Sequence, residues 1–305
     1  MISNEKLTEI IENDKKHSLE ETTANYRLSA ETLARYWRRY NQIQSEGVDA
    51  TQPTLPKILL FDIETAPNLV YTWGLFKQNI AINQIERSWY ILCWAAKWLF
   101  SDKVLFDVLS PEDAEKGQDE LVTRSIWDLL NKADIVIAHN LYGFDKKRVQ
   151  AKFVEYKLPP PEPYQMIDTL HVAKSFDFTS RKLDYLGGLL VGSKKIKTDF
   201  DLWRDCMGGD RTALKQMVTY CKQDVKLLEE VYLELRPWIK SHPNVGLYQE
   251  SDGMYCSNCG STELTKTTKP YRTDVNVYVT YRCECGALVR VRHTSKTAQL
   301  KGVAR

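Results

Sequence analysis

The sequence lacks any long apolar run and has little net charge, and each lack excludes a class of protein. A bilayer-spanning helix needs about 20 consecutive apolar residues, and no stretch approaches that length. The N-terminus, Met1 to Lys16, is charged and has no apolar stretch typical of a signal peptide. We therefore expect a cytoplasmic protein without membrane contact. With 42 basic and 40 acidic side chains, the net charge of +2 does not by itself indicate a polyanionic partner.

Cysteines are few, and their distribution is uneven. There are seven, and four of them cluster near the C-terminus. In a reducing compartment thiols stay unpaired, so we expect no disulfide bonds. No internal repeat or low-complexity tract is visible, and a length of 305 residues suits two or three domains.

Hydrophobic periodicity, interrupted by a polar stretch with prolines, divides the chain into three modules and a linker. The N-terminal part has apolar residues at helical spacing, whereas the linker is polar, contains prolines and has no period. The predicted boundaries are 1–44 for a small helical module, 45–56 for the linker, 57–240 for a large central domain and 251–305 for a C-terminal domain.

The central domain alternates short apolar runs with amphipathic stretches, which predicts an α/β fold with one mixed sheet flanked by helices. Strands are predicted over 57–63, 90–99, 104–109, 134–138 and 164–170. Helices are predicted over 120–133, 144–156 and 211–235. The apolar face of the first helix is expected to contain Leu121, Ile126, Leu129 and Leu130. Residues 68–88 form an apparent insertion between early strands, and the sequence assigns it no purpose.

Two carboxylates end the first predicted strand. Asp62 and Glu64 are two residues apart, so their side chains point to the same face of the strand. Like charges on one face repel each other unless a cation lies between them. Carboxylate oxygens are suitable ligands for Mg²⁺ or Mn²⁺. A solvated strand end is the alternative for this pair taken alone.

Two further motifs place acids on helices. Asp145 follows a short strand and a loop, and lies in the first turn of a predicted helix, where the helix dipole favours an anion. Tyr220 and Asp224 are four residues apart and therefore share a helix face. Taken singly, these acids could equally be an ordinary helix start and a surface pair. A third acid, Asp168, ends another strand and is better explained as a helix cap than as support for the site.

Taken together, these motifs resemble the DEDD exonuclease superfamily, tyrosine subtype, which has a ribonuclease H-like fold. That family has an acid-x-acid strand, an Asn shortly before an aromatic-Asp pair, and then Tyr-x-x-x-Asp. The chain matches in that order with Asp62 and Glu64, then Asn140, Phe144 and Asp145, then Tyr220 and Asp224. The histidine subtype would need a His at the position of Thr219. The resemblance covers about 57–240.

The resemblance implies a 3′–5′ exonuclease that hydrolyses nucleic acid with two cations, Mg²⁺ or Mn²⁺. Asp62, Glu64 and Asp224 would hold one cation, and Asp62 with Asp145 would hold the other. Tyr220 would orient the attacking water beside Glu64. Asn140 would contact the nucleic acid, and a core or capping role is its alternative. We expect DNA rather than RNA as the substrate; protein partners are not predicted.

The C-terminal cysteines form a Cys-x-x-Cys and a Cys-x-Cys pair, which are Cys256, Cys259, Cys283 and Cys285. Four thiolates suit one tetrahedral Zn²⁺ with a structural role, and the segment resembles a zinc ribbon. Residues 251–305 contain nine Lys and Arg against four Asp and Glu, a net charge of +5. Arg290 and Arg292 are expected to contact phosphates. A protein-binding ribbon is the competing interpretation.

The N-terminal module resembles a helix-turn-helix. The predicted helix that opens at Ser29 would present Arg35, Arg38 and Arg39 to DNA, although Leu28 stands where a turn Gly is often found. A helical adaptor that docks another protein is the alternative. The three-module combination resembles proteins of bacterial viruses, which would act in the host cytoplasm. The rival for the whole chain is a DNA-binding regulatory or recruitment protein with a nuclease-like core.

Overall fold

A computed structural model describes residues 4–14, 19–26, 33, 36, 55–249, 253–274 and 276–292. The chain divides into two compact units, residues 1–55 with 246–254, and residues 56–245 with 255–305. Within the described ranges, no helix combines the length and the apolar character that a membrane crossing requires.

The first unit begins with two short helices, α1 (Asn4–Asp14) and α2 (Leu19–Tyr26). Leu7, Ile10 and Ile11 share one face of α1 and are buried together with Leu33, which confirms their helical spacing. Leu33 and Tyr36 are helical. Arg35, Arg38 and Arg39 lie outside the described residues, as do positions 45–54 of the linker, so the helix-turn-helix remains a prediction.

The second unit contains a five-stranded mixed sheet in the order β5-β4-β1-β6-β7. β1 pairs antiparallel with β4 and parallel with β6, so it lies at the centre. β2 and β3 form a separate short ladder. The strands of this part are β1 (Ile58–Thr65), β2 (Leu69–Val70), β3 (Ile85–Arg87), β4 (Ile91–Trp98), β5 (Val104–Val108), β6 (Ile135–Ala138) and β7 (Gln165–Asp168).

Seven helices accompany the sheet, and the longest one supplies much of the core. They are α3 (Pro111–Lys116), α4 (Glu120–Leu130), α5 (Asp145–Glu155), α6 (Thr169–Ala173), α7 (Leu183–Leu190), α8 (Phe200–Met207) and α9 (Arg211–Leu235). α9 packs on β1 and β4. Its buried side chains recur at helical spacing from Leu214 through Met217, Cys221 and Val225 to Leu228, so one full apolar stripe faces the sheet. This mixed sheet with flanking helices is the predicted ribonuclease H-like fold.

Three details differ from the sequence prediction. The strand predicted over 164–170 ends at Asp168, because the Asp168 carboxylate accepts hydrogen bonds from two amides of α6 and starts that helix. Leu121 was expected in the core, but it is exposed, since the buried side of α4 runs through Val122, Ile126 and Leu129. The short helices α3, α6, α7 and α8 were not predicted.

A small antiparallel sheet follows, in the order β11-β10-β8 with β9 also paired to β10. Its strands are β8 (Leu264–Lys266), β9 (Tyr271–Arg272), β10 (Val277–Cys283) and β11 (Leu288–Arg292). Short 3₁₀ turns at Arg236–Trp238 and Val245–Tyr248 connect α9 to this region.

The small sheet rests on the C-terminal end of α9. The Asn258 side-chain amide donates to the Arg236 carbonyl at 2.8 Å, and the Val245 amide donates to the Ser257 carbonyl at 2.8 Å. A Cβ on Gly286 would stand 3.2 Å from Pro237, so the backbone approaches closely there. These contacts explain why the two parts belong to one compact unit.

Candidate active site

Strand β1 places two carboxylates at the end of the parallel part of the sheet. Its register with β6 extends only to Leu60, so Asp62 and Glu64 lie beyond the parallel ladder while remaining paired with β4. Alternation along the strand puts both side chains on one face, as predicted. This is the face over which α9 packs.

Helix α9 brings a third carboxylate to the same point. One carboxylate oxygen from each of Asp62, Glu64 and Asp224 lies within 4.8 Å of the other two. Asp224 is buried, and its Oδ1 atom has no hydrogen-bond partner. Cys221, one turn earlier, donates from Sγ to Asp62 Oδ2 at 3.4 Å. The sequence-predicted acids of β1 and α9 therefore meet.

Asp145 lies beside this group of three. It is buried in the first turn of α5, and its Oδ1 atom also lacks a partner. Burial raises its pKa well above the ordinary value, and the nearby Asp62 carboxylate raises it further. Among the described residues, the group whose oxygens lie within 4.8 Å does not include Asp145.

The buried carboxylates repel one another, and a bound cation would relieve this repulsion. Burial first, and then the Asp224 carboxylate, raise the pKa of Asp62 from 3.8 to about 7. Burial and the neighbouring acids likewise raise the pKa of Glu64 well above its usual range. Buried oxygens without donors are rare in folded proteins unless a water or an ion satisfies them. Hard oxygen ligands of this kind fit Mg²⁺ or Mn²⁺.

One positive side chain reaches the cluster. Lys195 forms an ion pair with Asp224, and its Nζ atom lies 3.5 Å from the Tyr220 hydroxyl. Burial lowers the pKa of Lys195, but the Asp224 carboxylate outweighs it, so the ammonium stays charged. The Tyr220 ring packs edge-on against Trp203 with centroids 6.2 Å apart. The sequence analysis did not identify Lys195.

The loop between β6 and α5 is held by Asp168. Its carboxylate accepts from the amides of Asn140 at 2.9 Å and Tyr142 at 3.1 Å, in addition to capping α6. Asn140 has a left-handed φ of 72°, and a Cβ on Gly143 would stand 2.3 Å from the Asn140 side-chain oxygen. The cap expected at Asp168 is present, and the same side chain also positions the site loop.

His139 has a structural role in this loop. Its ring nitrogens bond to the Thr169 hydroxyl and the Arg181 carbonyl, both at 2.9 Å. Burial lowers its pKa to about 4, so the ring is neutral near pH 7. Both ring nitrogens are bonded within the protein, so His139 serves the packing of the loop.

A cleft of about 670 Å³ is lined by Asn140 and Lys195 but by none of the four acids. Lys195 connects the two, because it lines the cleft and forms an ion pair with Asp224. Three further cationic side chains line it, against one acid, Asp184. The additional cations are Lys174, Arg181 and Lys182. The cleft therefore offers a positive surface to a polyanion next to the carboxylates.

The four C-terminal thiols also come together. All four sulfurs lie within 4.8 Å of one another, with Cys256 and Cys285 3.7 Å apart and Cys259 and Cys283 3.5 Å apart. A tetrahedral zinc with bonds of about 2.3 Å would separate its sulfurs by about 3.8 Å. The hydrogen bond with Cys259 lowers the pKa of Cys256 to about 5. The cluster is consistent with a structural zinc site.

The predicted nucleic-acid contacts have separate outcomes. Asn140 lines the cleft beside the carboxylates. Arg290 is exposed on β11, and its guanidinium lies 4.3 Å from the centroid of the Tyr271 ring. The side chain of Arg292 lies outside the description, like the three arginines of the N-terminal module.

One comparison with known proteins, that with family models, agrees with this fold. The model of a family described as the RNase_H superfamily matches residues 99–236, a range that contains Asp145, Tyr220 and Asp224 but begins after Asp62 and Glu64. No curated protein shows significant sequence similarity to the chain. A solved structure of the family B DNA polymerase from the hyperthermophilic archaeon Pyrobaculum calidifontis matches with 14% identity and a TM-score of 0.44. The match covers 61% of this chain and 26% of the polymerase chain. The family match thus makes residues 99–236 similar to a domain of the ribonuclease H superfamily.

Proposed function

We propose that this protein is a metal-dependent 3′–5′ exonuclease that hydrolyses the phosphodiester bonds of nucleic acid. The observation that carries the proposal is the convergence of Asp62, Glu64 and Asp224, with buried, partnerless oxygens on Asp224 and Asp145. A structural acid cluster would satisfy those oxygens with internal donors. Here two buried oxygens have no donor, and Lys195, the ion-pair partner of Asp224, lines a positively charged cleft.

The carboxylates would hold two cations, Mg²⁺ or Mn²⁺. Asp62, Glu64 and Asp224 are the ligands of one site, and Asp62 with Asp145 those of the other. Bound there, such cations stabilise the charge on the attacking and leaving oxygens of a phosphodiester. Four acids raised in pKa by burial and mutual repulsion would thereby be neutralised.

Three other side chains have roles that follow from their positions. Tyr220 keeps its proton at neutral pH, because burial raises its pKa, so its hydroxyl can donate to a water beside Glu64. Lys195 adds positive charge beside Asp224. Asn140, in the cleft wall, would contact the terminal nucleotide.

The polarity and the preference for DNA over RNA rest on the resemblance to the tyrosine subtype of DEDD exonucleases. The test uses 5′-labelled single-stranded and duplex DNA and RNA with Mg²⁺ or Mn²⁺. We expect a ladder of products shortened from the 3′ end, no products in EDTA, and none with Asp62→Ala purified in parallel, which controls for a contaminating nuclease.

The rival function, a regulatory or recruitment protein, predicts a different result. It would bind DNA with similar affinity in the wild type and in Asp62→Ala, and neither would release nucleotides with any metal. Such an outcome on all four substrates would contradict the exonuclease.

A further inference from the structure

The insertion after β1 exposes an unusual amount of apolar surface. Within residues 69–82, here called the aromatic loop, seven large apolar side chains are exposed, and Trp73 and Leu75 are 99% and 103% exposed. The seven are Leu69, Tyr71, Trp73, Leu75, Phe76, Ile80 and Ile82. Scattered exposed apolar residues are ordinary, but a contiguous group of this kind marks an interaction surface.

The aromatic loop keeps its shape through hydrogen bonds rather than apolar packing. The Tyr71 amide donates to the Gln84 carbonyl at 2.9 Å, and the Gln84 side chain returns a bond to the Tyr71 carbonyl at 3.2 Å. Closer to the tip, Thr72 bonds to Gly74 and Gln78 bonds to Phe76. The exposed rings are therefore presented by an ordered backbone, which lowers the entropy lost on binding.

The charge of the segment selects the kind of occupant. Residues 66–85 contain no acidic side chain, and Lys77 is their single charged residue. Three rings, those of Tyr71, Trp73 and Phe76, are followed by amide side chains that can donate and accept hydrogen bonds, at positions 78, 79, 83 and 84. Aromatic rings with nearby amides and a lysine suit the faces and edges of unstacked nucleobases.

The loop is continuous with the candidate active site. It leaves β1 only a few residues after Glu64, and its base is closed by a 2.8 Å hydrogen bond from the Trp89 amide to Asn68 Oδ1. The guanidinium of Arg148 lies 4.1 Å from the Trp89 ring centroid. Arg148 is on α5, one turn after Asp145, so the base of the loop contacts the helix that carries a catalytic acid.

We propose that the aromatic loop is a stacking platform for single-stranded nucleic acid, binding the bases of the strand whose end enters the carboxylate site. This inference rests on the proposed function for the orientation of the strand. Duplex bases are already stacked on each other and do not need the platform. The loop thus selects strands whose terminal bases are unpaired.

The test measures binding of fluorescent oligonucleotides to the full-length protein in EDTA, so that no cleavage occurs. Trp73→Ala and Phe76→Ala remove exposed rings and should leave the fold intact. Each should weaken binding of single-stranded DNA about 5- to 100-fold, the range expected for one lost base stack, and leave blunt duplex binding unchanged. Phe200→Ala, an exposed ring on α8, is the matched control and should bind like the wild type.

The salt dependence separates stacking from phosphate contact. The two ring variants remove no phosphate contact. The logarithm of their binding constant should therefore fall with the logarithm of the salt concentration at the wild-type slope, although the binding constant itself is lower at every salt concentration. Lys77→Gln should reduce that slope. In parallel, 5-iodouridine strands should crosslink to the wild-type protein within residues 69–82, a result that does not depend on how well any variant folds.

A small substrate distinguishes this inference from the proposed function. The p-nitrophenyl ester of thymidine 5′-monophosphate has one base and needs no platform, so the loop variants should hydrolyse it at the wild-type rate with Mn²⁺, while Asp62→Ala should not. Hydrolysis of this ester together with unchanged oligonucleotide binding by the loop variants overturns the platform alone. Loop-dependent strand binding without hydrolysis of any substrate overturns the nuclease alone.

Two further results would overturn the platform. Equal losses for single strands and duplexes would mean that the rings do not contact unpaired bases. A wild-type dimer in light scattering that becomes monomeric in Trp73→Ala, with single-strand binding retained, would make the loop a contact between two copies of this chain.

Discussion

At Asp62, the stability of the metal-free protein conflicts with the proposed chemistry. Without a cation its charge is unfavourable, because burial and the Asp224 carboxylate raise its pKa to about 7. Its unfolded value is close to 3.8, so between about pH 4 and 7 the folded state binds more protons than the unfolded state. The free energy of unfolding of the metal-free protein should therefore fall as the pH rises through that window.

Asp62→Asn should separate stability from activity. In EDTA at pH 7.5 we expect the variant to be more stable than the wild type by about 1 kcal/mol, which corresponds to roughly 2–4 °C in Tm. The reason is the removal of one buried negative charge from a group of four. The variant should lack exonuclease activity and show a flatter dependence of Tm on pH. Added Mn²⁺ should raise the Tm of the wild type more than that of the variant.

A lower Tm for Asp62→Asn in EDTA would contradict the proposed repulsion. Asp107→Asn is a matched control on the same sheet, since the Asp107 carboxylate on β5 accepts a hydrogen bond from the Ser125 hydroxyl and lies outside the carboxylate group. We expect this control to gain no stability and to retain exonuclease activity.

Tyr220 tests whether a single hydroxyl has a chemical role. Tyr220→Phe should keep the ring against Trp203 and thus the fold, while the rate should drop about 10- to 100-fold, a typical cost of a misplaced reactant. Titration of Mn²⁺ followed by Tm should give the wild-type midpoint. Tyr185→Phe, a half-exposed tyrosine on α7, is the control. A wild-type rate for Tyr220→Phe would leave the side chain with a packing role.

At the scale of elements, two helix caps that look alike in sequence differ in their structural roles. Asp168 caps α6 and also holds the amides of Asn140 and Tyr142, whereas Asp210 accepts only the Ala213 amide at the start of α9. Loss of Asp168 therefore removes the acceptor of four part-buried amides at once, which costs more than the loss of an ordinary cap.

Asp168→Ala should destabilise the protein by about 2–4 kcal/mol and lower the rate even where it remains folded, because the site loop loses its anchor. Asp210→Ala should cost about 1 kcal/mol, and its activity at a permissive temperature should be unchanged. Urea denaturation gives the stabilities, and initial rates on one oligonucleotide give the activities. Equal behaviour of the two variants would refute the second role of Asp168.

Element length determined what the sequence could predict. α9 has the predicted bounds because 25 residues of continuous helical periodicity leave little ambiguity. α6 spans only five residues directly after a strand, which is too short to show a helical period, so the change of structure at Asp168 was not visible in the sequence. Leu121 was misplaced because α4 has apolar residues on more than one face.

Long-range proximity was beyond the sequence. The acids could be predicted because each motif is local and their order resembles that of a family. Lys195 lies 29 residues before Asp224, in a loop without a spacing rule, so only the fold reveals their ion pair. The aromatic loop has the apolar content of a strand, and the sequence does not show that its side chains remain uncovered.

At the scale of the whole molecule, the C-terminal sheet is joined to the core through few but specific contacts. Asn258 lies between Cys256 and Cys259, and its side-chain amide donates to the carbonyl of Arg236, the residue that follows α9. The thiol cluster thereby fixes the turn that covers the end of the longest helix. The core of this small sheet has only four buried side chains among the described residues, so it needs a bound metal for stability. The four are Cys256, Cys283, Ala287 and Val289.

The zinc site should therefore be separable from the catalytic cations and coupled to the end of α9. Protein purified without chelator should contain one Zn²⁺ per chain, because thiolates select zinc over Mg²⁺. Replacing both Cys283 and Cys285 with Ser should abolish zinc binding. In hydrogen exchange, residues 253–292 and the last turn of α9 should lose protection, while β1, β4 and β6 keep it. Cys206→Ser changes a buried cysteine of the core instead. In this variant β1, β4 and β6 should lose protection, residues 253–292 should keep it, and zinc should stay bound.

The same double variant tests whether the small sheet contacts nucleic acid. If Arg290 and its neighbours bind phosphates, affinity should fall and depend less steeply on salt, because fewer counterions are released. If the double variant keeps the wild-type affinity and the wild-type dependence of affinity on salt, a protein partner is favoured for this surface. Native protein without zinc, and with the thiols of Cys256, Cys259, Cys283 and Cys285 freely titratable, would contradict the metal site itself.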